Sequence, residues 1–417
     1  MTTEKSADAE RRALIDVVEK IVATLFAATG VGVLLFFVFL SMNFIGKISD
    51  LPEYYAPAKM VLDGHGAEAY TLTGIGDAQH KLFSDMNGRV VALFVPPQGL
   101  ALITPIGFVP KDIIHYVWKG MLLGSLIGAF VLLQKTFSLG YKQTCYLVAG
   151  VTLSAACFEA LRIDQMAPFL LLSYVASIYC LQRKRDIPAG VWLVLMVLKP
   201  QQFLPFLAFL AGTKRWKTLA VCGAGFLVLT VIAFALIGQT GMQNYSALVS
   251  SPDSVKYMQP ELTPTLRGQL LRIIPSAAST IFSATSAVYL LVIAIAFALG
   301  RRFANHEKSI LLGVLTVMPL ALVLSMHCHN YDLLLITPTI LLLFSDKVIA
   351  FNSGWKLATI YAGSIFLLPV ALNVHNDYLM KGGVLNPYFF LLLIFGVAMI
   401  IYVLRNFKKP LTETQQS

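Results

Sequence analysis

Charge is what this chain has least of. Of its 417 residues only 13% are Asp, Glu, Lys or Arg while 57% are hydrophobic, and the mean hydropathy is +0.72. Too few polar side chains remain to cover a water-facing globule of this size, which excludes an ordinary soluble enzyme and points to an integral membrane protein. Cysteine is also sparse: Cys145, Cys157, Cys180, Cys222 and Cys328 are scattered and form no C-x-x-C. That pattern suggests neither a disulfide framework nor a zinc site. Missing too are a P-loop, G-x-S-x-G, H-E-x-x-H and a Rossmann fingerprint. ATP-driven transport and nucleotide-sugar binding on an α/β domain lose ground with them, and no cofactor or metal is expected. No internal repeat is visible.

What is present is a succession of apolar runs, each near the roughly 20 residues that cross a bilayer as a helix. The pattern fits helices rather than a barrel. Candidate spans are 21–45, 113–134, 143–160, 166–182, 187–198, 201–213, 218–238, 278–299, 309–326, 331–345, 357–373 and 387–404. The expected fold is thus an all-α polytopic membrane protein of about twelve transmembrane helices. The polar stretch 1–20 reads as a cytoplasmic leader, 21–408 as one membrane domain including an outer loop 46–112, and 409–417 as a cytoplasmic tail.

The formal net charge of +10 is gathered in short clusters: Lys135 with Lys142, Arg183 to Arg185, Lys214 with Arg215 and Lys217, Arg301 with Arg302, Lys347 with Lys356, and Arg405 with Lys408 and Lys409. With a cytoplasmic N-terminus every one of these falls on the inner side, as the positive-inside rule requires. That is membrane topology, and nucleic acid is not an expected partner. The opposite side carries the long connections 46–112 and 239–277 and six of the seven histidines, all but His306. Chemistry is therefore expected at the outer face. Residues 90–110 are apolar but interrupted by Pro96, Pro97, Pro105 and Pro110, which argues for an outer hairpin or juxtamembrane helix rather than a span.

Five motifs stand at outer span ends. In SDLPEYYAPAKMVLDG, the spacing Asp50-x-x-Glu53 with Pro52 between is the pattern of a helix N-terminus, the Asp capping an amide and Glu53 reaching back. The chemical alternative makes Asp50 a general base, with Tyr54 and Tyr55 lining a substrate cleft. In HCHNYDLLL, His327 and His329 precede Asp332; paired histidines can bind metal, but i and i+2 point to different helix faces and no third ligand is near. Hydrogen bonds to a phosphate or sugar, or a plain polar turn, are the other readings. Lys199 in LKPQQ sits at a proline hinge between two short arms, a costly place for a cation. LRIDQMAP brings Arg162, Asp164 and Gln165, where snorkelling to the interface competes with a substrate path for Arg162. In TPTLRGQLLR, Arg267 beside Gly268 is a better phosphate candidate than Arg272.

Taken in order along the chain, D-x-x-x-Y-Y-A-x-A-x-x-x-x-x-G (Asp50 to Gly64), FVPPQGLALITP, the Gln of LRIDQMAPFLLL, LKPQQFLPFLAFL followed by KRWK, TLRG and HNYDLLLITP carry a resemblance. The chain resembles the polyprenyl-phosphate-dependent glycosyltransferases of the GT-C superfamily. Within it the likeness is to glycosyltransferase family 87, which includes mycobacterial mannosyltransferases that extend phosphatidylinositol mannosides. It departs from them in having Leu51 after the leading Asp, where Phe is frequent, and Asp164 before the Gln, where Gly is frequent.

The resemblance implies a GT-C type fold with extracytoplasmic juxtamembrane helices, a plasma (inner) membrane location and an active site on the extracytoplasmic side. It implies transfer of a hexose, typically mannose, from a polyprenyl-phosphate-linked donor to a lipid or glycan acceptor, among membrane lipids. Asp50 matches the family's catalytic base. Lys199, Arg267, His327 and His329 are then expected to bind donor phosphate or sugar, and Tyr54, Tyr55, Gln165, Gln201 and Tyr331 to line the cleft. The competing functions are a lipid-linked sugar flippase or secondary transporter, which the Lys199-Pro200 hinge favours and the missing repeat disfavours, and a scaffold subunit, which needs none of these groups.

Overall fold

The structure is a computed structural model describing residues 2–42, 48–251, 257, 259, 263–344 and 383–406. The expected span 357–373, His375, Lys347, Lys356 and the tail 409–417 lie outside the described residues. Among those described there is no strand, and the chain is a succession of helices joined by short turns. In chain order they are α1 (Thr2–Ser41), α2 (Leu51–Leu62), α3 (Leu72–Leu82), α4 (Pro97–Ile103), α5 (Lys111–Phe137), α6 (Tyr141–Thr152), α7 (Ala155–Arg162) and α8 (Ala167–Gln182). There follow α9 (Asp186–Val194), α10 (Pro200–Gly212), α11 (Trp216–Ser250), α12 (Leu266–Ile273), α13 (Ala278–Phe303), α14 (Ser309–Val323), α15 (Thr337–Phe344) and α16 (Pro387–Asn406).

Five of these helices, counting the turn that leads into α13, are long and apolar enough to cross a membrane: Glu10–Ser41, Lys111–Phe137, Trp216–Ser250, Pro275–Phe303 and Pro387–Asn406. The pair α6 and α7 makes a sixth candidate, broken by a 56° bend, where the sequence reading drew one span over 143–160. The break has a local cause. Ser154 leaves helical geometry and its hydroxyl accepts from the Cys157 amide at 3.0 Å, so it starts a new helix instead of continuing the old one. The other apolar helices are shorter, α8 at 16 residues and α14 at 15 among them. The chain is a membrane protein; the long helices turn broad apolar faces outward, with Leu227, Val231 and Leu290 all more than 60% exposed.

Prolines and glycines place the remaining breaks. Lys199 has φ −143° and ψ 69°, which ends the turn after α9, and Pro200 opens α10 in a first-turn position that needs no amide donor. Gly238, at φ 65°, interrupts α11, which the sequence reading ended at 238 and which in fact resumes to Ser250. That second arm packs on the outer loop: Asn244 donates to the Ala67 carbonyl at 2.8 Å and the Tyr245 and Tyr70 rings meet at 5.1 Å. The region 90–110 is not a span, as its prolines require: it runs extended to Pro96, then forms α4 and a short 3-10 turn. The stretch 1–20, expected as a separate leader, is helical from Thr2 and continuous with the first span. Lys142 of α6 pairs with Asp16 at 3.0 Å and Glu19 at 2.5 Å, tying that extension to the bundle.

At one helix crossing the two backbones come into direct contact. A side-chain carbon at Gly212 of α10 or Gly300 of α13 would run into the backbone of the facing helix. Small residues let the two axes come close where van der Waals packing, not the hydrophobic effect, drives association.

Candidate active site

Six segments meet around a cavity of about 370 Å³: the turn at 48–50 with the first turns of α2, the extended stretch 89–95, the end of α7 with its following turn, the hinge at 198–201, Tyr257 with Gln259, and residues 327–331. Asp50, Tyr54, Gln165, Lys199, Gln201, His327, His329 and Tyr331 all line it. Two expected residues do not. Tyr55 is buried with its hydroxyl on the Val109 carbonyl at 2.8 Å, so it holds α2 against the outer loop. Arg267 is buried behind the wall, where its guanidinium lies over the Phe282 ring at 4.4 Å and donates to Thr285 at 2.9 Å and Ser286 at 3.0 Å. It acts on the cavity through its field at His327, not through contact.

Asp50 is fixed from both sides. Arg89 Nη2 meets its Oδ1 at 2.5 Å and Gln165 Nε2 donates to its Oδ2 at 2.6 Å, while Gln165 Oε1 accepts from the Tyr54 hydroxyl at 2.9 Å. Its amide donates to the Ile163 carbonyl at 2.8 Å. The expected capping box is absent. The Asp50 side chain makes no cap bond; Ser49 Oγ accepts from the Leu51 amide at 3.0 Å instead, and Glu53 lines the cavity. The capping pattern fails because the Asp50 carboxylate has stronger, charge-assisted donors elsewhere.

Behind this turn lies a buried ion pair. Asp164 and Lys119 are 0% and 1% exposed and meet at 2.9 Å. Ser49 Oγ donates to Asp164 Oδ2 at 2.6 Å and Trp118 Nε1 to the Asp164 carbonyl at 2.9 Å. Asp164 has φ 65°, in the left-handed region that suits glycine. The residue that departs from the resembled pattern therefore keeps a glycine-like backbone and spends its side chain on Lys119 and Ser49.

Three cavity residues escaped notice in the sequence. Arg89 reaches Asp50 because Gln79 of α3 clamps the extended stretch, donating to the Val91 carbonyl at 2.8 Å and accepting from the Val91 amide at 3.0 Å. Glu159 lines the wall in a two-bond fork with Arg162, at 2.9 and 3.0 Å. Asn330 stands between the histidines and Tyr331. No local spacing marks the first, whose partner Asp50 is 39 residues away; the second has an i, i+3 spacing that could have been read directly.

The remaining wall is a stacked ladder. His327 and His329 rings meet edge to face at 4.5 Å, His329 stacks on Tyr331 at 5.1 Å, and Lys199 Nζ lies 4.5 Å from the Tyr331 ring centre. The two histidines share one cavity because residues 327–329 are not helical, so the face argument from i and i+2 does not apply. Lys199 pairs with the buried Asp332 at 2.8 Å, and Asp332 also accepts from the His329 amide at 2.9 Å. Among the described residues no three His, Cys, Asp or Glu side chains gather as a metal site.

Burial sets the protonation states. It pushes the Asp50 carboxyl up from its usual range, with Arg89 and Gln165 pulling it back. It pushes Glu53 up to about 8, helped by the Asp50 charge and opposed by Lys199. Burial and Lys199 drive His329 down to about 3, and His327 is also lowered, by burial first and then by His329 and Lys199. Both imidazoles are neutral at pH 7.

Residues 94–325, more than half of the chain, match the sequence profile of glycosyltransferase family 87. The chain belongs to glycosyltransferase family 87. No match is found among curated protein sequences or solved structures. The family 87 match takes in Gln165, Lys199 and Gln201; Asp50 precedes it and the histidine ladder follows it. As a family 87 member the protein is a membrane glycosyltransferase, and its chemistry needs room for a sugar donor and an acceptor together.

Proposed function

We propose that this protein moves a hexose, mannose foremost, from a polyprenyl-phosphate-sugar to a hydroxyl of a lipid or glycan acceptor, with inversion at the anomeric carbon. The observation that carries this reading is the Asp50 carboxylate, held by Arg89 and Gln165 at the wall of a cavity that also presents Lys199 and two histidines. Asp50 takes the proton of the acceptor hydroxyl as that oxygen bonds to the anomeric carbon. The bond from that carbon to the phosphate oxygen breaks, and its electron pair leaves with the polyprenyl phosphate. The charge on the passing sugar is oxocarbenium-like. A phosphate leaves as a stable anion, so a general acid is dispensable and the leaving oxygen needs only donors: Lys199, His327 and His329 in this scheme, with Arg267 contributing its field from behind.

The same reading makes residues 21–408 one GT-C domain of about twelve crossings, the short apolar helices tilting or packing as crossings of their own. It sets the cavity on the extracytoplasmic side of the plasma membrane, where a lipid tail enters between helices and the sugar stays wet.

The test is turnover by the purified chain, with polyprenyl-phosphate-mannose and a series of membrane-lipid acceptors, beside Asp50→Asn and Asp50→Ala. Loss of a general base costs about 10² to 10⁴ in rate, and both variants should lose at least that much while keeping donor binding. Full turnover by folded variants removes Asp50 from the mechanism. Movement of an intact lipid-linked sugar across vesicles without bond formation makes the chain a flippase instead.

A further inference from the structure

The charges around the cavity pair off, with one left over. Arg89 is matched by Asp50, Lys199 by Asp332, and Glu159 by Arg162, each within ion-pair distance. Glu53 lines the same cavity at 9% exposure, and among the described residues no Lys, Arg or His nitrogen comes within that distance of it. It sits one helical turn beyond Asp50, in reach of the Lys199 field and of the Phe94 backbone. Ionised, it would set a carboxylate without an ion-pair partner against any phosphate that entered. We infer that Glu53 serves in the cavity as a neutral carboxylic acid that donates a hydrogen bond to the phosphate of the lipid-linked donor, and that donor affinity is thereby gated by its proton. This rests on the donor assignment made above.

The surroundings favour the neutral form. Burial and the charge of Asp50, beside the start of its helix, outweigh the Tyr54 hydroxyl and the Phe94 backbone, which as donors favour the ionised form. From the hinge comes Lys199, already engaged with Asp332, and from the extended stretch Arg89, already engaged with Asp50. His327 and His329 on the opposite wall are neutral. Of the elements packed on α2, α4 and the turn at 104–108 carry no ionisable side chain. The charges of α3 and of the turn at 66–70, Asp77, His80, Lys81 and Glu68, are exposed to solvent. A carboxyl near 8 is protonated over most of the physiological range and surrenders its proton just above it. A neutral carboxylic acid in such a place is a strong hydrogen-bond donor to an anion.

The test uses methyl farnesyl phosphate, a sugar-free phosphodiester whose single charge is constant over the range, titrated into the purified full chain in detergent from pH 6.5 to 9. Wild type should bind about ten-fold more weakly at pH 9 than at pH 7, the ratio of protonated fractions for a group near 8. Glu53→Gln, which keeps a neutral donor, should vary less than about two-fold across the same range. A flat profile in wild type overturns the role of Glu53 and leaves the phosphate-linked donor standing. A Glu53→Gln profile that still falls with pH assigns the proton to another group and overturns it equally. No binding of the diester at any pH overturns both this inference and the donor assignment.

Discussion

Asp50 shows how little of a cavity side chain's character comes from its own type. Its carboxylate is largely withdrawn from water, which raises its proton affinity, while one cation and one amide pull it back down. If Asp50 is the base, this placement makes it a stronger one than a solvated aspartate. Arg89 is the adjustable part. Arg89→Met removes the countercharge, so the Asp50 carboxyl rises further and must be protonated at higher pH. The acid limb of the kcat/KM profile should move upward by about 1 to 2 pH units, while Arg89→Lys should hold it near the wild-type position. An unmoved limb in Arg89→Met disconnects the guanidinium from the base.

At this scale the sequence was legible in part, and unevenly. Asp50, Gln165, Lys199 and the two histidines stand at span ends, where a polar residue is conspicuous against apolar surroundings. Glu53 was misread because Asp-x-x-Glu ahead of an apolar run is also what a helix start looks like, and only the position of Arg89 decides between them. Arg89 itself gave no signal: its approach to Asp50 depends on a clamp formed by Gln79, twelve residues distant from Val91.

The elements explain how the turn carrying Asp50 keeps its shape. Residues 163–165 and 49–54 are laced together by the Asp50 amide, the Gln165 side chain and Ser49 Oγ, and the lacing is anchored on the Lys119–Asp164 pair of α5 and the turn after α7. Asp164→Gly suits the left-handed backbone at φ 65° but strands Lys119 as a buried unpaired cation. Breaking such a pair from one side costs about 3 to 5 kcal/mol. Asp164→Gly should lower the thermal midpoint in detergent accordingly, and adding Lys119→Met should recover most of the loss. Failure of the second change to rescue the first means that Ser49, not Lys119, is what Asp164 is for. A separate element-scale case is the crossing of α10 and α13: Gly300→Val drives a side chain into the backbone at Phe209 and should cost about 1 to 3 kcal/mol or more, read by the same melts. The proline breaks were visible from the sequence; this glycine contact was not, because Gly212 and Gly300 are far apart in the chain and neither is needed for a turn.

For the whole molecule the question is which end faces which side. Helix α8 begins beside Gln165 at the Asp50 cavity and ends beside a second cavity of about 300 Å³ lined by Lys184, Arg215 and Lys308. Helix α14 runs the other way, from Lys308 up toward His327. Each is about 22 to 24 Å long at 1.5 Å per residue, most of the roughly 30 Å of hydrocarbon, and turns extend both at their ends. The basic residues Lys184, Arg215 and Lys308 and the cavity of Asp50 are therefore at opposite ends of the same helices. Because short loops rich in Lys and Arg stay in the cytoplasm, the Asp50 end should face away from it. In a variant whose five cysteines are replaced, a single cysteine at Lys81 should react with a membrane-impermeant maleimide in intact cells. One at Arg183 should react only after permeabilisation. Both positions are exposed, so neither result is masked by burial. The reverse labelling would place the cavity on the cytoplasmic side and would require the donor lipid to be met there.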